Sequence, residues 1–328
     1  MRVEVRPELL DWARERAGLS VDAIVQRLPK FEQWESREIQ PTLRQLEQFA
    51  RLTYTPIGYL FLPEPPVEHL PIPDFRTTAD TGVARPSPDL LDTLYTCQQR
   101  QEWFRDYARA EGHEPVVAVG RATVDSDIET VAASMRAALG FDLAERRAMP
   151  TWTDALRRFI EQAEALGVLV MVNGVVGNNN RRKLNPNEFR GFALVDDLAP
   201  LIFVNGADTK NGQMFTVAHE LAHIWLGQSA LSDATVATVP AHRVERWCHQ
   251  VATKVLEPLG VGANTVRRGE FPSRRVASRP VSRVSPCFAR AVVHRALEGD
   301  TLYRDGFRLL GVSGPEAFMQ VRKTLGVS

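Results

Sequence analysis

Residues 215–227 read FTVAHELAHIWLG, and this stretch decides how the fold of the chain is interpreted. Its apolar residues recur at helical spacing, and the glycine at its end is typical of a helix C-terminus. His219 and His223 are four residues apart, so a helix places both imidazoles on one face. Glu220 lies one position further round. The stretch therefore predicts a buried helix, from about residue 210 to residue 226, whose two histidines hold a metal ion.

Zn²⁺ is the metal that the His-Glu-x-x-His spacing predicts, with the carboxylate of Glu220 acting as general base on a water molecule. A catalytic zinc site needs a third protein ligand and one open position. His242, Glu245 and His249 all lie downstream of the two histidines. Spacing favours Glu245 among these three. It leaves open that Glu245 is an ordinary solvated helix residue and that His249 is a surface residue.

A second helix, from about residue 241 to residue 256, would carry these candidates. His242 is expected near its start, and Glu245 and His249 share one face because they are four residues apart. His249 would then accept a hydrogen bond from a ligand imidazole and fix the orientation of that ring. Cys248 is expected to be a small buried residue, since a fourth protein ligand would close the metal shell and abolish catalysis.

The periodicity changes from helical to extended on the N-terminal side of the metal-site helix. Short runs of β-branched and aromatic residues, separated by turn residues, predict three strands at 168–172, 189–195 and 200–205. An exposed edge strand within 189–197 is expected to bind an extended peptide by strand addition. Helical patterns precede these strands at 88–111, 126–139 and 152–166. The fold class predicted from these elements is α+β, mostly helical, with a small sheet packed by the metal-site helix.

Composition and charge exclude several classes of protein. The 328 residues carry 40 basic and 40 acidic side chains, a net charge of zero that argues against a nucleic-acid coat protein. Cys97, Cys248 and Cys287 are odd in number and far apart, so we expect no disulfide framework and a reducing cytoplasm. No apolar stretch approaches the roughly 18 residues of a membrane span, so no membrane partner is expected.

The segment from Asn185 to Pro258 resembles the ImmA/IrrE family of zinc metallopeptidases. The likeness runs through NPNEFRGFALVDDLAPLIFVNGADTKNGQMFTVAHELAHIWLG and VERWCHQVATKVLEP. It implies a zincin-like catalytic core of a small β-sheet plus the His-Glu-x-x-His helix. In the positions of this sequence, it implies that His219 and His223 are ligands, Glu220 is the catalytic carboxylate and Glu245 is the third ligand. His249 stands where the family usually has Asn or Asp.

Residues 7–76 are similar to the XRE-type helix-turn-helix module that often precedes such peptidases, through LLDWARERAGLS, QWESREIQPTLRQLEQFA and LPIPDFRT. Only 14 positions separate Ser20 from Trp34, fewer than the XRE pattern has, and the loss falls on the part of the recognition helix that reaches bases. Residues 1–70 also carry a net charge of −2. The remaining candidates for a DNA-facing surface are Lys30, Gln33 and Arg37. Operator binding and a vestigial role in dimerisation or substrate docking both stay open.

The prolines and the change of pattern predict five segments. They are a helix-turn-helix domain at 1–62, a Pro-rich linker at 63–87, a zinc metallopeptidase domain at 88–258, an Arg-rich linker at 259–286 and a C-terminal helical segment at 287–328. Residues 259–328 have a net charge of +7, which is interpreted as a solvated linker; gripping nucleic acid or an acidic partner is the alternative.

The function predicted from these features is a cytoplasmic, zinc-dependent endopeptidase of bacterial or phage regulation. The resemblance of the chain to the ImmA/IrrE family implies that it hydrolyses a peptide bond in a partner protein. That partner would be a helix-turn-helix repressor or a toxin encoded nearby. The alternative from another class is a DNA- or toxin-binding regulator, such as an antitoxin, whose zinc site is structural or idle. A homodimer is compatible with both hypotheses.

Overall fold

The computed structural model describes residues 2–74, 85–140, 151–232, 242–259 and 283–327. These residues form two compact units. Unit 1 comprises residues 2–71 and 85–92, and unit 2 comprises residues 72–74 and those from 93 to 327. Within the described ranges, no helix is both long and apolar enough to cross a membrane.

Unit 1 is built from short helices around aromatic side chains. The helices are α1 (Pro7–Arg16), α2 (Val21–Val25), α3 (Phe31–Glu35) and α4 (Leu43–Leu52), followed by a 3-10 helix at Ile57–Phe61. Phe31, Trp34 and Phe49 are buried at the centre, where the rings of Phe31 and Phe49 stack with centroids 5.3 Å apart. Burying large aromatic rings supplies much of the core of so small a unit.

Two of these helices begin at a residue whose hydroxyl caps the helix. The Ser20 hydroxyl accepts a hydrogen bond from the backbone N–H of Ala23 at 3.2 Å. The Thr42 hydroxyl accepts one from the backbone N–H of Gln45, whose side chain accepts the Thr42 backbone N–H in return. Such reciprocal caps satisfy donors that a helix start leaves unpaired. The helix between them, α3, has only five residues.

Three longer helices precede the sheet. They are α5 (Pro88–Ala110), α6 (Ile128–Leu139) and α7 (Trp152–Ala165). The side chains of Asp127 and Thr151 cap the starts of α6 and α7. Gly140 ends α6 in a left-handed conformation, with φ of 62°, which glycine adopts without strain.

Unit 2 contains a mixed four-stranded sheet. Its strands are β1 (Leu169–Asn173), β2 (Gly191–Leu194), β3 (Leu201–Asn205) and β4 (Ala230–Leu231). Their spatial order is β1-β3-β2-β4. β1 and β3 pair in parallel, whereas β2 pairs antiparallel with both β3 and β4. The sheet therefore has β1 and β4 at its edges.

The expectation that an exposed edge strand lies within 189–197 is wrong. β2 is an interior strand, because Ala193 lies opposite Ile202 of β3 on one side and opposite Ala230 of β4 on the other. All four residues of β2 are buried. No pattern in the sequence indicates β4, since two residues are too few for a visible alternation.

The metal-site helix packs on one face of this sheet. It is α8 (Lys210–Leu226), which contacts β2, β3, α7 and a further helix, α9 (Arg243–Leu256). The core that they share includes Val170, Ala193, Ile202 and Val204 of the sheet. Three helices complete the described chain: α10 (Pro286–Glu298), α11 (Tyr303–Leu310) and α12 (Pro315–Leu325).

The predicted fold class is confirmed: the described protein is α+β, with twelve α-helices, one small mixed sheet and a helical N-terminal region. The helices and strands predicted between residues 88 and 256 occur within a few residues of their expected bounds. The five-segment domain division stays a prediction. Most of the arginine cluster of 267–283 lies outside the described residues.

Glu164, near the end of α7, gives a testable consequence of this packing. Burial raises the pKa of its carboxyl from 4.5 to about 7, against the opposing effects of Ser285 and the Val170 backbone. A folded-state pKa above the unfolded one means that stability is full below about pH 4.5 and is lost as the pH rises through about 7. We expect Glu164→Gln to be more stable than the wild type at pH 8 by on the order of 2–3 kcal/mol, and to match it near pH 4.5.

Urea unfolding at both pH values measures this difference. Glu161→Gln is the control, because Glu161 lies on the same helix with 55% of its side chain exposed and influences the pKa of Glu164 far less than burial does. If both substitutions raised the free energy of unfolding equally at pH 8, the loss of stability could not be assigned to ionisation of Glu164.

Candidate metal centre

α8 holds its two histidines in a fully enclosed position. The Thr209 hydroxyl caps the helix by accepting the backbone N–H of Gly212 at 3.1 Å, and Gly227 ends it with φ of 68°. Every residue from Gly212 to Leu226 is buried. A helix that is covered on all sides carries polar groups only where they have partners or a function.

α9 supplies the third member of the cluster. The ring of His242 caps the start of α9, where its Nδ1 accepts the backbone N–H of Val244 at 3.3 Å. His242 is exposed and is not in the cluster. Glu245, one turn in, is 1% exposed and faces α8. Of the three downstream candidates, the structure thus places Glu245 beside the histidines.

Three donor atoms converge between the two helices. Nε2 of His219 lies 3.1 Å from Oε2 of Glu245, and Nε2 of His223 lies 2.9 Å from Oε1 of the same carboxylate. The two Nε2 atoms are 3.3 Å apart. All three side chains offer a ligand atom within 4.8 Å of the others.

The separation of the two imidazole nitrogens fits a tetrahedral zinc ion. Zinc binds nitrogen and oxygen at about 2.0–2.2 Å, which puts neighbouring corners of a tetrahedron about 3.3–3.5 Å apart. Two imidazole nitrogens at 3.3 Å can form a hydrogen bond only when one of them carries a proton, whereas a cation attracts both and the carboxylate together. Two imidazoles and one carboxylate are also a ligand set that catalytic zinc sites use.

Glu220 lies beside the three ligand candidates and is not one of them. It is fully buried, and among the described residues neither of its carboxyl oxygens has a hydrogen-bond partner. The hydroxyl of Ser232 lies close to it, outside the geometry of a good hydrogen bond. A buried polar group with no partner is costly, so its retention points to a functional demand.

Burial and neighbouring charge shift the protonation of both carboxyls. Burial raises the pKa of Glu220 to about 8, while His219 lowers it and Glu245 raises it further. Burial also acts to raise the pKa of Glu245, but His219 and His223 outweigh it and hold that pKa well below its usual range. Glu245 is therefore a carboxylate, the form in which it binds a metal ion.

Gly191 and Ser232 are site residues that sequence reasoning missed. A Cβ atom on Gly191 would lie 2.5 Å from Cγ2 of Thr216 and 3.1 Å from Oε1 of Glu220. Glycine is therefore required for β2 to approach the carboxyl of Glu220 this closely. A glycine within a strand pattern is a signal for such an approach; Ser232 had no comparable signal.

The structure places His249 one helical turn from the ligand layer. Its ring packs against Phe215 with centroids 5.1 Å apart, and burial lowers its pKa, with His219 as the next cause. The hydrogen bond expected from a ligand imidazole to His249 stays a prediction. Cys248 is fully buried, as expected, and burial holds the pKa of its thiol well above the usual value.

The three residues expected to face DNA are all exposed in unit 1. Lys30 and Gln33 lie at the start and middle of α3, and Arg37 follows it with a positive φ of 60°. The Arg37 guanidinium lies 3.4 Å from the carboxylate of Glu8, which offsets its charge. DNA binding by these residues stays a prediction.

Comparison with protein families found two matches. Residues 163–251 match the model described as the IrrE N-terminal-like domain, of the family Peptidase M78, and this range contains His219, Glu220, His223 and Glu245. Residues 284–321 match a domain of unknown function, DUF8813. No curated protein and no solved structure gave a significant match.

The convergence of the three donors predicts how metal affinity responds to substitution. We expect Glu245→Ala to lower zinc affinity by more than about 100-fold, because even partners outside the ligand set are worth about 10- to 100-fold. Competition with a chromophoric chelator measures this affinity.

Glu257→Ala is the matched control, since Glu257 follows the same helix and its side chain is 64% exposed. This control should keep the zinc affinity of the wild type. Equal affinities of wild type and Glu245→Ala would remove Glu245 from the ligand set.

Proposed function

We propose that unit 2 is a zinc-dependent endopeptidase in which His219, His223 and Glu245 hold the metal ion. The observation that carries this proposal is the convergence of three buried donor groups from α8 and α9, with a second, unpartnered carboxyl beside them. The match of residues 163–251 to a peptidase family supports the same reaction class.

Zinc, when bound, supplies a Lewis acid that polarises the scissile carbonyl and makes water acidic enough to attack near neutral pH. The chain supplies the proton carrier. Glu220 follows His219 directly and its carboxyl is shielded from bulk solvent, so it accepts a proton from the attacking water and later donates it to the leaving amine. Its raised pKa suits both roles near neutral pH.

The ligand set leaves room for a substrate. Two imidazoles and one carboxylate fill three of the four positions that zinc prefers, which is the arrangement of catalytic rather than structural zinc sites. Cys248 is next to this layer in sequence, but its protonated thiol is a poor ligand. The donor chemistry therefore supports catalysis over a closed structural site.

As the substrate we propose a regulatory protein, either a helix-turn-helix repressor or a toxin, whose gene lies next to that of this chain. The presence of a separate helical unit in the same chain supports a macromolecular substrate, because unit 1 offers a second surface for docking. Exposed apolar side chains on unit 1, including Leu43 and Phe61, are suited to contact with a protein.

Replacement of Glu220 tests the proposed function directly. We expect Glu220→Gln to bind zinc as the wild type does, since Glu220 is not a ligand. Cleavage of the neighbouring regulator, followed by mass spectrometry of the products, should slow by about 10²–10⁴-fold or more because the proton acceptor is lost.

Glu257→Gln serves as the control for the loss of one carboxylate at an exposed position and should cleave normally. Undiminished cleavage by Glu220→Gln would overturn the role of Glu220. The proposed substrate class would be overturned if zinc-loaded wild-type protein cleaved none of the proteins encoded by the neighbouring genes.

A further inference from the structure

The edge of the sheet next to the candidate site already has an occupant. On the outer side of β4, the backbone N–H of Leu231 donates to the carbonyl of Pro73 at 3.0 Å. Asp74 forms a parallel β-bridge with Leu231. Residues 72–74, which we term the strap, thus lie along β4 as a short added strand.

This edge is the one that leads to the catalytic carboxyl. Ser232 follows β4 directly, and its hydroxyl lies beside the carboxyl of Glu220. Gly191, of the neighbouring strand β2, also lies beside this carboxyl. The opposite edge of the sheet, β1, is separated from β2 by β3. An extended peptide that reaches Glu220 by strand addition would therefore add at β4.

The strap is anchored by one side chain and few hydrogen bonds. Ile72 is 8% exposed and is its buried anchor, whereas Pro73 is exposed. Proline has no backbone N–H, so Pro71 and Pro73 remove two donors that a full strand would offer. A strand with this few donors protects an edge against other chains, yet a peptide with a complete set of donors can displace it.

We propose that the strap is an autoinhibitory strand, which holds the β4 edge closed until an extended segment of the substrate protein displaces it. The autoinhibitory role rests on the proposed peptidase function. Whether the strap occupies the β4 edge does not depend on that function. Apparent affinity for a peptide falls by the fraction of molecules in which the edge is free. Release of the strap should therefore strengthen peptide binding without any change at the metal centre.

The test compares Ile72→Asp with Val67→Asp in the full-length Glu220→Gln protein, which prevents hydrolysis. Both substitutions add one negative charge to the same stretch of chain, but Val67 is 77% exposed whereas Ile72 is the buried anchor. The first readout is hydrogen exchange at the Leu231 amide, the donor to Pro73. Its protection should fall at least about tenfold in Ile72→Asp and remain unchanged in Val67→Asp.

The second readout is binding of a fluorescein-labelled peptide, EHLPIPDFR, which repeats residues 68–76. Fluorescence anisotropy should show binding at least about tenfold tighter for Ile72→Asp than for wild type or Val67→Asp. Ile72→Ser, which removes only the apolar anchor, should change both readouts in the same direction by less; it replaces Ile72→Asp if circular dichroism shows that the latter is unfolded.

Unchanged protection of Leu231 in a folded Ile72 variant would overturn the proposal, because the strap would not be held as described. Faster exchange at Leu231 with no gain in peptide binding would also overturn it, because the freed edge would not accept a strand. Both readouts are obtained with chelator present as well as with zinc, so they do not depend on hydrolysis. Failure of the strap is thereby distinguished from failure of the peptidase assignment.

Discussion

The packing of α8 against α9 brings three donor groups together in a buried cluster, and the rest of the site depends on this contact. His223 is fully buried, and Glu245 is 1% exposed. A carboxylate in such a place is costly unless a positive charge compensates it. Protonated histidines can supply that charge, but two protonated Nε2 atoms 3.3 Å apart would repel each other. A divalent cation satisfies all three groups at once, which is why the cluster is interpreted as a metal centre.

The sheet determines how a substrate can approach this centre. Gly191 lets β2 pass close to Glu220, and Ser232, directly after the short β4, lies beside the same carboxyl. Of the two strands with a residue beside the Glu220 carboxyl, only β4 is at an edge of the sheet. The strap, which follows directly after residue 71 in the chain, covers this edge. In this account the three ligand residues and Glu220 provide the chemistry, and the β4 edge controls which peptides reach them.

The sequence predicted what local spacing determines and missed what depends on distant pairing. The i, i+4 relation of His219 and His223 and the apolar periodicity around them predicted the metal-site helix within its observed bounds. Spacing could not decide whether Glu245 is a ligand or an exposed helix residue, because that depends on how α9 packs against α8. The edge of the sheet was misplaced since β4 has two residues and no alternation. Ser232 and the strap were invisible for the same reason: their partners are far away in sequence.

X-ray absorption at the zinc edge, on the purified full-length protein, tests the central claim most directly. The account predicts one zinc per chain whose first shell holds only nitrogen and oxygen, at about 2.0–2.2 Å, with the outer scattering of two imidazoles. A zinc–sulfur distance of about 2.3 Å would place Cys248 in the shell and make the site structural. Such a shell, or protein that is folded but takes up no zinc, would contradict the account.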